Sequence, residues 1–358
     1  MNLTDIAFKR LDNQQFKGTR FDTPADLVGW MGAVQAQDYG AAKWALGLRI
    51  PASNDALMEQ AFTEGRILRT HVMRPTWHFV TPADIRWMLE LTAPRVNTLA
   101  TYYYRQVELD EVVFQKAKKV LIKALEGGHQ LIREELVSAL VQSGIVNNDL
   151  RMTHIMMWSE LDGLICSGAR RGKQHTYALL DERAPQAKSL PREEALVELA
   201  RRYFISHGPA TVQDFVWWSG LLMVDAKAGV DALKSELGCE VIDGQTYWFA
   251  PTTTIMPTRP PVAHLLPNYD EYTVGYGDRS AVFAGDPPNH LDPRGSVLLN
   301  YVIIIDGQAI SAWRRTFKKG KVIIELKPFA PLSDLQNQTI QEAAQRYADF
   351  LGLALEIV

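Results

Sequence analysis

Two glutamines, Gln35 and Gln37, are spaced so that their side chains can act together. Residues at i and i+2 lie on different faces of an α-helix but on the same face of an extended chain. The pair follows a helix predicted to begin after Thr23, and Gly40 comes shortly after it. If the chain unwinds after Val34, both amides point into one cleft, where their carbonyl oxygens can orient a water molecule. The alternative is that both are solvated residues at a helix end.

A predicted hairpin rich in His, Arg and Trp carries the first group of possible DNA contacts. Side chains alternate between the two faces of a strand, so Arg74, Thr76 and His78 are expected on one face. His71 lies with Trp77 on the other face. A metal site is not indicated, because no third ligand stands at a suitable spacing. The hairpin equally fits polar residues that only face water.

Two further hairpins concentrate cations. The first, over residues 167–175, has glycines around three cations, a flexible and positive tip that suits a minor groove or phosphates. The second, over residues 313–321, interleaves cations with aromatic side chains, as nucleic-acid grooves do. Solvated basic turns are the alternative in both. The candidate DNA contacts are Arg170, Arg171, Lys173, Arg314 and Arg315.

An acidic, tyrosine-rich segment over residues 265–279 offers a different chemistry. It contains Asp270, Glu271 and Asp278 and ends at Arg279. A pair of carboxylates can carry out acid–base catalysis, as in a small-molecule hydrolase. We favour the other interpretation, in which the segment is a contact loop between domains with an Asp–Arg pair.

The length of 358 residues predicts two or three domains. A formal net charge of -3, with 47% hydrophobic and 22% charged residues, is typical of a soluble globular protein and excludes a strongly basic coat protein for nucleic acid. The two cysteines, Cys166 and Cys239, exclude a disulfide framework. No signal peptide or membrane-spanning stretch is visible, so we expect a reduced, cytoplasmic protein.

A repeated order of elements organises the first two thirds of the chain. Three predicted helices precede a two-stranded hairpin, and this order recurs three times, which is the winged helix-turn-helix plan. The alternative is an unrelated series of helical hairpins. The predicted helices are 4–11, 24–34 and 54–63, then 110–125, 131–141 and 149–162, then 192–206, 212–219 and 224–237.

The remaining third is predicted to be β-rich. A proline-rich linker at 254–262 precedes strand-like runs, and an amphipathic helix over 335–351 closes the chain. The expected fold class is α+β, with tandem winged helix-turn-helix motifs followed by a C-terminal β-rich domain and its covering helix. The predicted domains are 1–109, with the glutamine pair and connecting helices, 110–190, with the basic hairpin, 191–252, and 253–358.

Four segments resemble, in the same order along nearly the whole chain, the AlkZ/YcaQ family of bacterial winged-helix DNA glycosylases. They are VQAQDYGAAKWALGLR, LRTHVMRPTWHFVTPADIRW, HLLPNYDEYTVGYGDR and DGQAISAWRR. The family combines tandem winged helices with a β-rich C-terminal domain, and its catalytic motif is Gln-x-Gln or Gln-x-Asp. Gln35 and Gln37 match the Gln-x-Gln branch, since Asp38 falls one position too late. Pro75 departs from the glycine expected in the family's first wing, and proline fixes φ and removes a donor.

The resemblance implies a monofunctional DNA glycosylase that excises purines alkylated at N7 or N3 and, in some members, unhooks interstrand crosslinks. Its partner would be double-stranded DNA carrying alkylated bases, and no metal or organic cofactor and no oligomer beyond a monomer is implied. Such a purine is cationic and leaves readily, so the enzyme needs chiefly to hold a water and to stabilise an oxocarbenium-like sugar. We assign the positioning of water to Gln37 and its support to Gln35.

Two other functions fit parts of the sequence. A non-enzymatic winged-helix transcriptional regulator needs the same basic hairpins but not the glutamine pair, and release of a base separates the two. A hydrolase centred on residues 269–276 would lose activity when Asp270 or Glu271 is changed. The motifs of phosphate-loop NTPases, zinc proteases, serine hydrolases and dinucleotide-binding enzymes are absent from the sequence.

Overall fold

The computed structural model describes residues 1–16, 20–251, 261–283 and 301–358. Within these ranges the helices are α1 (Leu3–Asn13), α2 (Pro24–Met31), α3 (Tyr39–Gly47), α4 (Asp55–Thr63), α5 (Ile85–Gln106), α6 (Glu111–Leu125), α7 (Arg133–Gln142), α8 (Asp149–Leu161), α9 (Leu180–Arg183), α10 (Arg192–Ser206), α11 (Val212–Ser219), α12 (Met223–Ala232), α13 (Glu271–Val274) and α14 (Asp334–Leu351). The strands are β1 (Val34–Gln35), β2 (Leu68–His71), β3 (Trp77–Val80), β4 (Leu131–Ile132), β5 (Ile165–Ser167), β6 (Thr176–Leu179), β7 (Gly238–Ile242), β8 (Gln245–Phe249), β9 (Ala263–Leu266), β10 (Tyr301–Ile305), β11 (Gln308–Lys318), β12 (Lys321–Pro328) and β13 (Ala354–Ile357).

The strands of these ranges form four sheets. Two have three strands, in the orders β1-β3-β2 and β4-β6-β5, and β7 pairs with β8 alone. The fourth has five strands in the order β13-β12-β11-β10-β9, and within it only β12 and β13 run parallel. Helices followed by a C-terminal sheet confirm the α+β class.

The two three-stranded sheets occupy the same place in a repeated order of elements. Helix, strand, helix, helix and two strands follow one another as α2, β1, α3, α4, β2 and β3, here called the first run. They recur as α6, β4, α7, α8, β5 and β6, the second run. The third run, from α10 to α12 with β7 and β8, has an isolated bridge between Ala210 and Trp248 in place of the first strand. The winged-helix prediction requires this order, while the division into domains stays a prediction.

The helices of the first run differ from the predicted set. The sequence pattern predicts no helix where α3 lies, and it assigns α1 to the first run. Instead, α1 contacts the third run, since Arg10 Nε donates to the carbonyl of Pro209 (2.9 Å) and Asn13 Nδ2 donates to that of Gly208 (2.7 Å). A short helix of this kind gains its stability from such tertiary contacts.

Helix α2 ends three residues earlier than predicted, and this places the glutamine pair outside the helix, with Gln35 in a strand. The helix begins where Thr23 accepts a hydrogen bond from the backbone of Asp26 (3.2 Å). It ends at Met31 rather than Val34, because Gly32 has a φ of 79°, which glycine adopts without a side-chain clash. The chain then enters β1.

The C-terminal sheet and α14 share a hydrophobic core with the first run. The Trp44 ring of α3 lies 4.9 Å from that of Tyr347 and 5.1 Å from that of Phe350, both in α14. Trp44 Nε1 also donates to the carbonyl of Leu265 in β9 (2.7 Å). The covering helix is therefore confirmed, and it joins the sheet to the first run. The predicted linker over 254–262 and the boundary after residue 252 lie largely outside the described residues.

Both cysteines are unpaired, Cys166 being buried and Cys239 exposed. Across the described ranges, no helix is both long enough and apolar enough to cross a membrane.

Candidate active site

Gln35 lies in a strand, and Gln37 lies two residues farther on, in the bend that precedes α3. Gln35 is the second residue of β1 and pairs with His78 of β3. The strand is continued by Ala36, whose N–H donates to the carbonyl of Trp77 (2.7 Å). Gln35 is 5% exposed, whereas Gln37 lies at the surface. The glutamine pair therefore connects the interior of the molecule to its surface.

Both amide oxygens of the pair accept hydrogen bonds from the first hairpin, formed by β2 and β3. Arg74 Nη2 donates to Gln35 Oε1 (2.9 Å), and the backbone N–H of Trp77 donates to Gln37 Oε1 (3.3 Å). The bond to Gln35 is charge-assisted and therefore the stronger. Gln35 is thus oriented by a cation, while the longer bond to Gln37 is the easier one for a water molecule or substrate to replace.

Arg69 holds the backbone of the pair from the other side of the hairpin. Its Nε donates to the carbonyl of Ala36 (2.9 Å), and its Nη2 donates to that of Gln37 (3.5 Å). The guanidinium lies over the Trp77 indole, 4.3 Å from the ring centroid. Burial lowers the pKa of Arg69. Arg69 is not among the predicted site residues, because nothing in its local spacing distinguishes it from the other cations of the hairpin.

Glu271 holds the buried end of the pair from the C-terminal part of the chain. Its carboxylate is almost fully buried and accepts hydrogen bonds from the Gln35 N–H (2.7 Å), Trp218 Nε1 (3.0 Å) and His207 Nε2 (3.3 Å). Burial by itself raises the pKa of the Glu271 carboxyl, but the bond from His207 and the neighbouring donors outweigh it, so the pKa is lowered. Glu271 is therefore an ionised group that fixes the backbone of Gln35.

The adjacent Asp270 is also buried and paired. Arg49, just after α3, donates from Nη2 and Nη1 to the two carboxylate oxygens of Asp270, over 2.7 Å and 2.9 Å. Arg49 Nη2 also donates to Gln14 Oε1 (2.9 Å). The segment thus contains an Asp–Arg contact between distant parts of the chain, as the favoured interpretation requires. A hydrolase site there is not supported, because neither Asp270 nor Glu271 reaches the surface.

A family model described as DNA glycosylase AlkZ-like matches residues 28–350 of this chain. The chain belongs to this family. This confirms the resemblance and the enzyme class, a DNA glycosylase that hydrolyses N-glycosyl bonds. A non-enzymatic regulator is not favoured.

Two comparisons with single proteins agree with this AlkZ-like assignment. An interstrand DNA cross-link repair glycosylase of Streptomyces sahachiroi is 22% identical over 364 residues, which cover 96% of this chain and 95% of that protein. The solved structure of Streptomyces sahachiroi DNA glycosylase AlkZ matches with a TM-score of 0.81 and 20% identity over the full length of both chains. At that identity the likeness shows that the two share a fold.

In this AlkZ-like chain the two histidines of the first hairpin are not available to DNA. His71 Nδ1 bonds to the carboxylate of Glu160 in α8, and its ring lies 4.3 Å from that of Trp77. His78 is fully buried, and its Nδ1 bonds to the carbonyl of Thr76 (3.0 Å). Burial, with the nearby charge of Arg74, lowers the pKa of His78 to about 3. We therefore correct the prediction that His71 and His78 contact DNA.

Arg74 and Thr76 lie in the turn between β2 and β3 rather than on a strand. The turn packs against the end of α11, where the carbonyl of Met73 leaves no room for a side chain at Gly220. Arg74 and Thr76 are partly exposed, and Pro75 between them is fully at the surface. DNA contacts by Arg74 and Thr76 stay predictions.

Arg170 and Arg315 approach the residues that follow the glutamine pair. Arg170, in the second hairpin between β5 and β6, lies over the Tyr39 ring, 5.0 Å from its centroid. Arg315 of β11 lies 3.9 Å from the carboxylate of Asp38 and donates to the hydroxyl of Tyr301 (3.0 Å). The structure thus brings one cation from each of two distant hairpins to the edge of the site, where their contacts to DNA stay predictions.

The other three predicted cations lie farther out. Arg171 pairs with Glu135 of α7 (2.8 Å), within its own run, while Lys173 and Arg314 are exposed. Their role in DNA binding also stays a prediction. In the described part of the chain, no three His, Cys, Asp or Glu side chains are grouped to hold a metal ion.

Proposed function

We propose that the chain is a monofunctional glycosylase that hydrolyses the N-glycosidic bond of purines alkylated at N7 or N3 in duplex DNA, the first step of base excision repair. The observation that carries this proposal is the surface amide of Gln37 beside the oriented Gln35. Two carboxylates lie near the pair, that of Asp38 in sequence and that of Glu271 in space, and both are engaged elsewhere. Asp38 caps α3 by accepting from the Ala41 N–H (3.0 Å), and Glu271 is buried.

This arrangement suits a leaving group that is already cationic. Alkylation at N7 or N3 places a positive charge on the purine, so the bond breaks with little help from a general acid. What remains is to hold a water against the sugar carbon and to stabilise its developing positive charge. An amide oxygen can do both without being a strong base. In this mechanism Gln37 positions the water, and Gln35, held by Arg74, supports it.

Crosslinked purines fall within the same proposal. The relative from Streptomyces sahachiroi is named for interstrand cross-link repair. A crosslinked base cannot be turned out into a closed pocket as an ordinary damaged base is. We propose that an open cleft, lined by Arg170, Arg171 and Lys173 on one side and by Arg314 and Arg315 on the other, admits such a lesion. The enzyme would work as a monomer on the duplex, without a metal or organic cofactor.

Release of 7-methylguanine from methylated duplex DNA tests the proposal. Wild type should release the base, and Gln37→Ala should lower the single-turnover rate by about 10²- to 10³-fold, as the loss of one transition-state contact does. Gln142→Ala, an exposed glutamine of α7, is the matched control and should leave the rate unchanged. If Gln37→Ala releases 7-methylguanine as fast as wild type, the role of the pair is refuted. If wild type releases neither this base nor a crosslinked purine, the proposed substrate class is wrong.

A further inference from the structure

Two guanidinium groups flank one indole beside the glutamine pair. Trp217 of α11 is 41% exposed and is held in place by its Nε1, which donates to the carbonyl of Val274 (2.9 Å). The Arg74 guanidinium lies 6.0 Å from the ring centroid of Trp217, and that of Arg279 lies 5.2 Å from it. The two arginines come from parts of the sequence about 200 residues apart, so only the fold brings them together.

Neither arginine is neutralised by a carboxylate. Among the described residues, no acidic oxygen lies within 4.0 Å of either guanidinium, and the hydrogen bonds of the Arg279 side chain go to the carbonyls of Thr273 (2.9 Å) and Gly277 (3.3 Å). Arg279 Nη2 and Arg74 Nε have no hydrogen-bond partner. Both atoms are buried, but Arg74 and Arg279 are each partly exposed, and two neighbouring cations without a carboxylate partner are where an anion would be bound.

The acids nearest to this site serve other groups. Asp214 Oδ1 accepts the backbone N–H of Gly277 (2.9 Å) and of Asp278 (3.1 Å), and Glu271 binds the donors described above. Burial lowers the pKa of Arg279, and the positive charge of Arg74 lowers it further against the opposing effect of Asp214. The two guanidinium groups therefore repel each other, and an anion between them would relieve that repulsion.

We propose that Arg74 and Arg279, which both lie against Trp217, form a phosphate subsite that binds a phosphodiester flanking the damaged nucleotide. The inference rests on the proposed function for the identity of the anion. Arg74 donates to Gln35 through Nη2 and, over 3.4 Å, to the carbonyl of Trp217 through Nη1, so a phosphate bound at this guanidinium lies one side chain away from the catalytic pair. In DNA the group that stands this close to the scissile sugar carbon and carries a full negative charge is the phosphodiester. Guanidinium forks match its oxygens in geometry.

The subsite would fix the position of the damaged strand relative to the Gln37 amide, which positions the water. Phosphate contacts fix the position of a protein on DNA without reading its sequence. An enzyme with a range of alkylated purines needs this kind of contact, because the phosphate is the same whatever the base carries.

The test combines a protein change with a change in the DNA. Arg279→Gln removes the charge, Arg279→Lys keeps the charge but loses the fork, and Arg346→Gln is the matched control. Arg346 of α14 is more exposed than Arg279 but, like it, donates to a backbone carbonyl, that of Ala263 (2.6 Å). Binding to a lesion duplex is measured against salt concentration, and again with a neutral methylphosphonate at each phosphate flanking the lesion. Thermal unfolding of each variant is recorded alongside.

Arg279→Gln should weaken binding by about 10- to 100-fold, as expected for one charge-assisted contact, and should reduce the slope of log K against log salt by about one. Arg279→Lys should keep the slope, and Arg346→Gln should behave as wild type. One flanking methylphosphonate should weaken wild type but add little to Arg279→Gln. If Arg279→Gln does not fold, a smaller methylphosphonate effect in Arg279→Lys than in wild type supports the same conclusion.

The subsite is refuted if Arg279→Gln is folded and keeps the affinity and salt slope of wild type, or if every methylphosphonate affects wild type and the Arg279 variants equally. Base release by wild type, measured on the same duplex, keeps this outcome separate from the proposed function. Release without an effect of Arg279 removes the subsite alone. If the Arg279 variants bind DNA more weakly but wild type releases no base, the glycosylase proposal is refuted and a DNA phosphate site remains.

Discussion

The first and second runs follow the same order of elements, yet only the first carries the candidate site. Each begins its sheet with a strand of two residues, β1 in the first run and β4 in the second, and each of these pairs with the last strand of its run. After β1 three residues, Ala36, Gln37 and Asp38, precede α3, and the chain bends at Gln37. After β4 it enters α7 at once, at Arg133. Both runs therefore have a short strand at the same place. The residues that follow this strand determine whether polar side chains lie at its end.

The surroundings of the two strands differ more than the strands do. Gln35 in β1 is held by Arg74 and by Glu271, which lies 236 residues farther along the chain. The corresponding position in β4, Ile132, is held by Glu135, only three residues away. The comparison shows that a local contact is enough to start a helix, whereas the candidate site depends on buried charges from distant segments.

The tips of the first and second hairpins also differ, in how deeply they are buried. Val72 and Met73, in the turn of the first hairpin, are buried in the core, so that turn is part of the site wall. The tip of the second hairpin, around Arg171 and Lys173, is exposed. We therefore expect changes in the first run to affect stability and chemistry, and changes at the second tip to affect DNA binding alone.

The largest difference between the two runs should appear when a buried charge that supports the candidate site is removed. Asp270→Asn leaves Arg49 buried without its charged partner, and this should lower the free energy of unfolding by about 3–5 kcal/mol. Arg171→Gln, which breaks the exposed pair with Glu135, should leave the urea midpoint unchanged within error. Urea unfolding of both variants checks the contrast. Equal effects of the two changes would show that the buried pair has no special role.

A pH series provides the second test, through His78. The pKa of this fully buried ring is about 3 in the folded chain and 6.5 in its ordinary state, so the unfolded chain binds a proton below about pH 6.5 that the folded chain does not bind. Stability should therefore fall with decreasing pH, by about 2 kcal/mol between pH 6.5 and 5 from this ring alone.

His78→Gln should remove that part of the pH dependence, measured by urea unfolding at pH 7, 6 and 5. His129→Gln changes an exposed histidine and should leave the wild-type slope intact. A wild-type slope in His78→Gln would mean that the ring binds its proton equally in the folded and unfolded chain, against its burial beside Arg74.

The smallest effect should come from the exposed tip of the second run. Arg171→Gln and Lys173→Gln should each reduce the salt slope of DNA binding by about one, because each cation would neutralise one phosphate. The rate of base release at saturating enzyme should stay within about twofold of wild type, since neither side chain touches the glutamine pair. A large fall in that rate would place the second hairpin inside the reacting site and would end the contrast between the two tips.

Local signals predicted those elements whose stability is local. Helix α11 lies where the sequence places it, because Thr211 caps its first turn and Gly220 ends it in a left-handed conformation. The C-terminal helix is also confirmed, since its apolar stripe is visible in the sequence. Helix α3 was not predicted, because Trp44 and its neighbours pack against α14 about 300 residues away, and no short window of sequence contains that partner.

The sequence by itself identified the glutamine pair and the condition under which it can act together, an extended chain after Val34, since a period of two needs only neighbouring residues to be recognised. It also determined the family, through motifs spread along the whole chain. Only the tertiary structure decided that Arg74 engages the oxygen of Gln35, that Glu271 and Arg69 hold the backbone, and that the two histidines of the first hairpin are buried. The reason is physical. A buried charge is stable only beside its partner, and in this protein the partners lie tens to hundreds of residues apart in the chain.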